Sequence, residues 1–275
     1  MTSGFASVRF VLSFDAFPRL AGLLLERLVG LAEADDQLVA VTVGGSAALG
    51  TMDRFSDLDL VIVCRDDGYR TAVAEAQRLA GSLGPLLVAF TGEHVGEPAL
   101  LICLYGPPLL HVDLKYVAES EFADRVEDGL ILWQRDGAAE AAFANSDAAW
   151  PAPDRQWIED RFWVWIHYGA AKLGRGELFE CLDLLGFLRG AVLGPLLAVE
   201  RGTRPQGARR IEFFAPDYVP ALAATLADHD RQQCFRALRA AAEAYVELRE
   251  RAADPELVQH TEAQAQVMAY LDVLG

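Results

Sequence analysis

Two aspartates one residue apart, Asp57 and Asp59, stand at the mouth of the apolar run Leu60–Cys64. In a strand, side chains at i and i+2 share a face. Both carboxylates then project together, while Leu58 and Leu60 turn toward a core. Two ionised carboxylates about 4 Å apart repel by roughly 4 kcal/mol at an effective dielectric of 20. A hard divalent cation, which takes oxygen ligands, is the most direct counter-charge. Just upstream lies Gly44-Gly45-Ser46, closed by Gly50. Glycines leave their backbone N–H groups uncovered, and such a turn cradles phosphate oxygens. A phosphate cradle beside paired carboxylates is the equipment of metal-assisted phosphoryl or nucleotidyl transfer. Each feature alone has a plainer explanation, since Asp-x-Asp at a strand end and Gly-Gly-Ser in a turn are both common. Their conjunction between two Val/Ile-rich runs, Leu38–Val43 and Leu60–Cys64, points to function. The loop is neither a Walker A sequence nor a dinucleotide fingerprint, because Gly-Lys-Ser/Thr and Gly-x-Gly-x-x-Gly are absent.

Gly45-Ser46-x-x-x-Gly50, followed by Ser56-Asp57-Leu58-Asp59-Leu60, resembles the signature of the DNA polymerase β-type nucleotidyltransferase superfamily. The resemblance implies an α/β domain with a mixed sheet and a nucleoside triphosphate substrate, ATP first. It implies two Mg²⁺ ions bridged by Asp57 and Asp59, with Gly45 and Ser46 on the β- and γ-phosphates. Many small members carry arginines inside the Gly-Ser loop, where this chain has Ala47 and Leu49. Contacts those arginines would make must come from elsewhere.

The elements around the motif follow from pattern. Phe17–Asp35 is expected to be an amphipathic helix, with Leu20, Leu24, Leu28 and Leu31 at helical spacing. Strands are expected at Leu38–Val43, Leu58–Cys64, Leu86–Thr91, Ala99–Tyr105, Leu109–Val117 and Leu130–Gln134. A short helical turn is expected near Ser46–Leu49 and a second helix over Tyr69–Ser82. In Leu109–Val117, His111, Asp113 and Lys115 alternate with Val112 and Leu114, so the three polar side chains share one face. The plainer explanation is a strand with a polar outer face. In the superfamily a third carboxylate lies on a later strand, and Asp113 matches it by order and context. The resemblance therefore makes Asp113 a third metal ligand.

Trp150-Pro151-Ala152-Pro153 interrupts regular structure, and the pattern beyond it is helical. Two domains are expected: 1–150, the nucleotidyltransferase catalytic domain, and 151–275, an α-helical bundle for the acceptor. Asp154 is a candidate N-cap for a helix from Arg155 to about Leu173, ended by Gly174. Further helices are expected at Glu177–Glu200 with an interruption at Leu193-Gly194-Pro195, and at Pro220–Ala227, Asp230–Ala252 and Pro255–Leu274. Arg249 is expected to be exposed. The stretch from Phe162 to Glu177 resembles the C-terminal domain of antibiotic nucleotidyltransferases, especially the streptomycin-modifying aminoglycoside 6-adenylyltransferases. Its aromatics read as core. Lys172, near a helix end, is a candidate phosphate ligand. Kanamycin-type relatives carry a catalytic Glu four residues before the equivalent Lys, where this chain has Tyr168. The base is then Asp113, or a carboxylate such as Glu177 or Asp183.

The 275-residue chain is 52% hydrophobic, enough for a substantial core, and has a formal net charge of −16. Such a chain repels phosphate backbones, which argues against nucleic acid as substrate and favours a small cationic acceptor. Solubility alone also explains an acidic surface. No apolar run is expected to reach the roughly 18–20 residues needed to span a bilayer. Met1–Phe10 lacks the charged and apolar regions of a signal peptide. Cys64, Cys103, Cys181 and Cys234 are scattered without a Cys-x-x-Cys pair and read as buried thiols of a cytoplasmic protein. The combined expectation is AMP transfer from ATP to a hydroxyl of an aminoglycoside-like molecule. The rivals are an enzyme that transfers AMP to protein, and a nucleotide-binding, antitoxin-like regulator without turnover.

Overall fold

The computed structural model describes residues 19–275. Phe17, where the sequence places the first helix start, lies outside them. The chain divides into two compact units, Met1–Ala149 and Trp150–Gly275. The first is a mixed α/β unit and the second is helical.

The first unit opens with α1 (Arg19–Ala34). Leu24, Leu25 and Leu28 are fully buried, and Val29 and Ala32 complete the stripe. Leu31, expected on that stripe, is exposed. β1 (Leu38–Val43), the short helix α2 (Gly45–Ala48) and β2 (Leu58–Cys64) follow. The expected helix over Tyr69–Ser82 is two helices, α3 (Tyr69–Ala74) and α4 (Ala76–Leu83). Glu75 leaves helical geometry at φ −97°, ψ 3°. The break re-aims α4, which buries Ala76, Ala80 and Leu83, whereas α3 buries no residue fully. β3 (Leu86–Gly92), β4 (Glu97–Tyr105), β5 (Leu110–Ala118), β6 (Leu130–Gln134) and α5 (Ala138–Asn145) complete the unit.

The six strands form one sheet in the order β3-β4-β5-β2-β1-β6. Only β2 and β5 pair in parallel; the other neighbours are antiparallel. One face packs Leu58, Leu60, Ile62, Val112, Leu114 and Tyr116 with the leucines of α1. The other carries a smaller cluster, Val39, Ala40, Val63 and Phe122 with Ala139 of α5. Helices thus lie on both faces of β1, which explains why all six of its residues are buried and its run lacks alternation.

In the second unit, α6 (Arg155–Arg175) is capped by Asp154, whose carboxylate accepts from the Trp157 backbone N–H at 2.9 Å. The helix passes through Gly174 and ends at Gly176, which adopts φ 75°. Glycine inside a helix costs only about 1 kcal/mol, whereas the left-handed cap position strongly favours it. α7 (Leu178–Leu188) leads through a π-helical turn at Arg189–Leu193 into α8 (Gly194–Glu200). Pro195 falls in the first turn of α8, directly after the π-helical turn.

Contrary to the sequence reading, Leu178–Glu200 is long and apolar enough to cross a membrane by length and composition. Glu180, Asp183 and Arg189 interrupt the run and hide it from a search for unbroken apolar stretches. Leu184, Leu185, Leu188, Leu193 and Leu197 of this segment are packed into the helical core.

α9 (Ile211–Phe214), α10 (Val219–Ala223), α11 (Arg231–Ala252) and α12 (Thr261–Asp272) complete the unit. Asp230 caps α11 by accepting from Gln233 N–H at 2.8 Å. Residues 255–260, expected to be helical, are not. There the His260 backbone N–H donates to Glu159 Oε1 at 2.9 Å instead.

Glu159 is fully buried and is met by Arg249, which is only 7% exposed. Arg249 is therefore a core residue, not the exposed one expected. Its Nη1 donates to both Glu159 oxygens at 3.1 and 3.2 Å. Tyr245 Oη–H and Trp163 Nε1–H also donate to the same carboxylate. Burial alone pushes the Glu159 carboxyl up. Hydrogen bonds from Tyr245, His260 N, Trp163 and Arg249 outweigh it and hold the group below the usual range.

Candidate active site

Gly44-Gly45-Ser46 follows β1 directly, at the end of that interior strand. Gly44 N–H donates to the Asp59 backbone carbonyl at 2.7 Å, which ties the loop to β2. Gly45 adopts φ +58°. A Cβ on it would lie 2.3 Å from Asp59 Oδ2, and one on Gly44 would lie 2.5 Å from Glu127 Oε1. Two carboxylates therefore rest directly on bare backbone: a side chain at Gly44 would displace Glu127, and one at Gly45 would displace Asp59 and be strained by the positive φ. The Gly45 N–H donates to Glu127 Oε1 at 3.0 Å. Beside it, Ser46 Oγ is shielded from solvent and has no hydrogen-bond partner among the described residues.

β2 and β5 set the carboxylates. In their parallel register Asp59 is the Cα partner of Asp113. Leu58, Leu60, Val112 and Leu114 are buried on the opposite face, so the alternation read from the sequence holds in both strands. Asp57 immediately precedes β2. His111 Nε2 contacts Asp113 Oδ1 at 2.9 Å. The Asp113 carboxyl is raised above its ordinary value, chiefly by burial. His111 offsets part of that, and the charge of Asp57 adds to it. Lys115 turns away to Glu97 of β4, with Nζ to Oε1 at 3.1 Å. It is thus engaged by a structural ion pair beside the site.

Lys172 lies in the second unit, in the last turn of α6. Its ammonium is paired with Glu177 and lies 3.8 Å from Glu180 Oε2. Tyr168 Oη–H donates to Glu180 at 2.6 Å, and Lys172 Nζ sits 5.2 Å from the Tyr168 ring centroid. The hydrogen bond that Lys172 donates to Glu177 raises the Lys172 pKa, so the ammonium stays charged. Of the carboxylates considered as a base, Glu177 is engaged with Lys172 and Asp183 is exposed.

Glu127 is the residue that sequence reasoning missed. It comes from the loop before β6 and reaches a glycine 82 positions away. That loop is held by Arg125, which donates to Asp128 and to the Ser146 hydroxyl and carbonyl. No local pattern marks Glu127 in an acid-rich stretch, and only the packing of that loop brings it to Gly45.

Among the described residues, no three His, Cys, Asp or Glu side chains converge into a set able to hold a metal ion. The donor chemistry nonetheless fits Mg²⁺, which is usually held by one or two carboxylates plus substrate phosphates. Asp59 and Asp113 are register partners, and Ser46, next to the Gly45 that packs on Asp59, offers a hard oxygen with no partner among the described residues. The thiols do not compete for this role: all four cysteines are unpaired and buried, and burial pushes Cys64 up to about 12.

Comparison with known proteins agrees on one domain. Residues 25–107 match the family model of the nucleotidyltransferase domain. That span holds the Gly45-Ser46 loop, Asp57 and Asp59; Asp113 and Glu127 fall beyond it. Among solved structures, an aminoglycoside 6-adenyltransferase from Bacillus subtilis superposes with a TM-score of 0.42 at 15% identity, covering 94% of this chain and 99% of that one. A nucleotidyltransferase-like protein from Exiguobacterium sibiricum 255-15 gives 0.40 at 14%, covering 89% and 77%. No curated protein matches. Both TM-scores are low, so identification rests on the domain match: the chain carries a nucleotidyltransferase domain in its N-terminal unit and is a transferase of that class.

Proposed function

We propose that this enzyme transfers a nucleoside monophosphate, AMP from ATP first, to a hydroxyl of a small cationic acceptor such as an aminoglycoside. The observation that carries the reading is the pairing of Asp59 with Asp113 beside the Gly45-Ser46 cradle. Gly45 N–H and the unpartnered Ser46 hydroxyl donate to the β- and γ-phosphate oxygens. For this, Glu127 has to release the Gly45 N–H it now holds. Asp57, Asp59 and Asp113 would hold two Mg²⁺ ions, which when bound supply Lewis-acid polarisation of the α-phosphate and of the attacking and leaving oxygens. Asp113 takes the proton of the acceptor hydroxyl. The acceptor oxygen bonds to the α-phosphorus, the bond to the β-phosphate bridging oxygen breaks, and pyrophosphate leaves.

The net charge of −16 supports a cationic acceptor, and four buried, unpaired thiols support a reducing compartment such as the cytoplasm. Lys172 remains a candidate phosphate ligand; in that role it exchanges Glu177 for phosphate oxygens. A screen of pyrophosphate release tests the reading, with the four nucleoside triphosphates against panels of aminoglycosides and lincosamides. Release with one nucleotide–acceptor pair supports it. Nucleotide binding without release from any pair would instead favour a regulator that no longer turns over, which Ala47 and Leu49 in the loop also favour.

A further inference from the structure

The helical unit contains a pocket of about 270 Å³ between the start of α6, the end of α8 and the end of α11. Ile158, Leu196, Leu248 and Leu257 give it apolar walls, and Arg155, Arg249 and Arg251 bring cations to it. Those cations are unequally answered. Arg251 pairs with Glu247 and with Glu200, the latter at 3.3 Å. Arg249 gives Nη1 to Glu159 and Nη2 to Gln264 Oε1 at 3.0 Å, but its Nε–H is buried with no acceptor. Arg155 is half-buried and makes no ion pair with the described residues. Acidic residues outnumber basic ones 40 to 24 in this chain, so a shortage of carboxylates does not explain an arginine left without one on this pocket.

We propose that this pocket binds a small organic monocarboxylate. The carboxylate accepts from the Arg155 guanidinium, and the apolar body lies against Ile158, Leu196, Leu248 and Leu257. A carboxylate suits arginine donors because its two oxygens match the planar fork. One negative charge suffices, because Arg249 and Arg251 are already neutralised by Glu159, Glu200 and Glu247. A polyphosphate would set further charge against Glu200 and Glu247 and gain nothing from the apolar walls. The volume lies at the lower end of small-molecule sites, which limits the ligand to a short chain or one ring. The site belongs wholly to the second unit and does not depend on the nucleotidyl-transfer reading.

The test uses the full chain, with 4-phenylbutyrate and octanoate as probes and their neutral amides as controls. Calorimetry and thermal melts read binding to wild type, Arg155→Ala and the pocket-filling Val199→Trp; Val199 also lines the pocket. Arg155 forms no ion pair, so its removal leaves the Glu159–Arg249 network in place. At least one carboxylate is expected to bind wild type and raise its melting temperature. Binding weakens about tenfold or more in Arg155→Ala, as loss of a charge-assisted hydrogen bond predicts. It disappears in Val199→Trp, and the amides fail throughout. Absence of binding at millimolar carboxylate, equal binding of the amides, or undiminished binding by Arg155→Ala would overturn the proposal.

Discussion

Glu127 holds the Gly45 N–H at 3.0 Å, the donor assigned here to phosphate. A triphosphate must therefore displace a carboxylate before it can occupy the cradle. A hydrogen bond to a charged group contributes about 1.5–3 kcal/mol net, and each 1.4 kcal/mol is a factor of ten in affinity. Glu127→Ala should therefore tighten binding of a nonhydrolysable ATP analogue by roughly ten- to a hundredfold. Glu127→Gln, whose amide oxygen still accepts but without charge, should fall between the two. Calorimetry without Mg²⁺ isolates the competition from any metal contact, and repetition with Mg²⁺ shows whether the gain survives. The same substitution should lower the melting temperature of the nucleotide-free protein, because Gly44 loses the carboxylate packed on it and the Gly45 N–H loses its acceptor. Unchanged or weaker metal-free affinity in both variants would refute the reasoning. It would mean that the carboxylate supports nucleotide binding rather than opposing it.

Asp59→Asn should abolish pyrophosphate release with the fold intact by circular dichroism; retained turnover in Mg²⁺ removes the metal-bridging assignment. Asp113 has a raised pKa, so folding favours its protonated form, and the stability this gives is lost as pH rises above the unfolded value. Asp113→Asn should accordingly melt above wild type at neutral pH without Mg²⁺, with the gap closing toward acid; a variant that melts lower at neutral pH contradicts this. Lys172→Ala should weaken nucleotide binding more than alanine at Arg78, whose side chain is 77% exposed. Equal affinities would leave Lys172 as the partner of Glu177 alone. Glu159→Gln strands Arg249 in the core and should cost roughly 3–5 kcal/mol, read as a lower denaturant midpoint. Since the Glu159 pKa is lowered, its contribution is present above the unfolded carboxylate value and lost as pH falls.

Where chemistry and local pattern coincide, the sequence was legible. Gly45, Asp57 and Asp59 could be placed because glycine, carboxylate and strand alternation all act over a few residues. Asp113 could be placed because β5 alternates as cleanly as β2. Glu127 could not, since a loop residue's partner is set by packing and not by its neighbours. Arg249 was misread for a related reason. Helical spacing assigns a charged side chain to the wet face unless a buried counter-charge is known, and Glu159 lies on another helix. The break at Glu75 carries no glycine or proline to announce it and follows from how α4 seats Ala80 and Leu83.

Parallel neighbours cannot be joined by a hairpin. Between Asp59 and Asp113 the chain must build α3, α4, β3 and β4 before β5 can dock on β2. Loop-closure entropy grows only with the logarithm of length, so the distance itself is a small barrier. The larger consequence concerns timing during synthesis. Asp57 and Asp59 emerge from the ribosome well ahead of Asp113 and wait, solvated, without it. On the chemistry proposed here, a cation gains its third carboxylate only when the crossover has closed. Full-strength ion capture then reports completed long-range strand pairing, and a chain stalled before β5 holds an incomplete site, open to water.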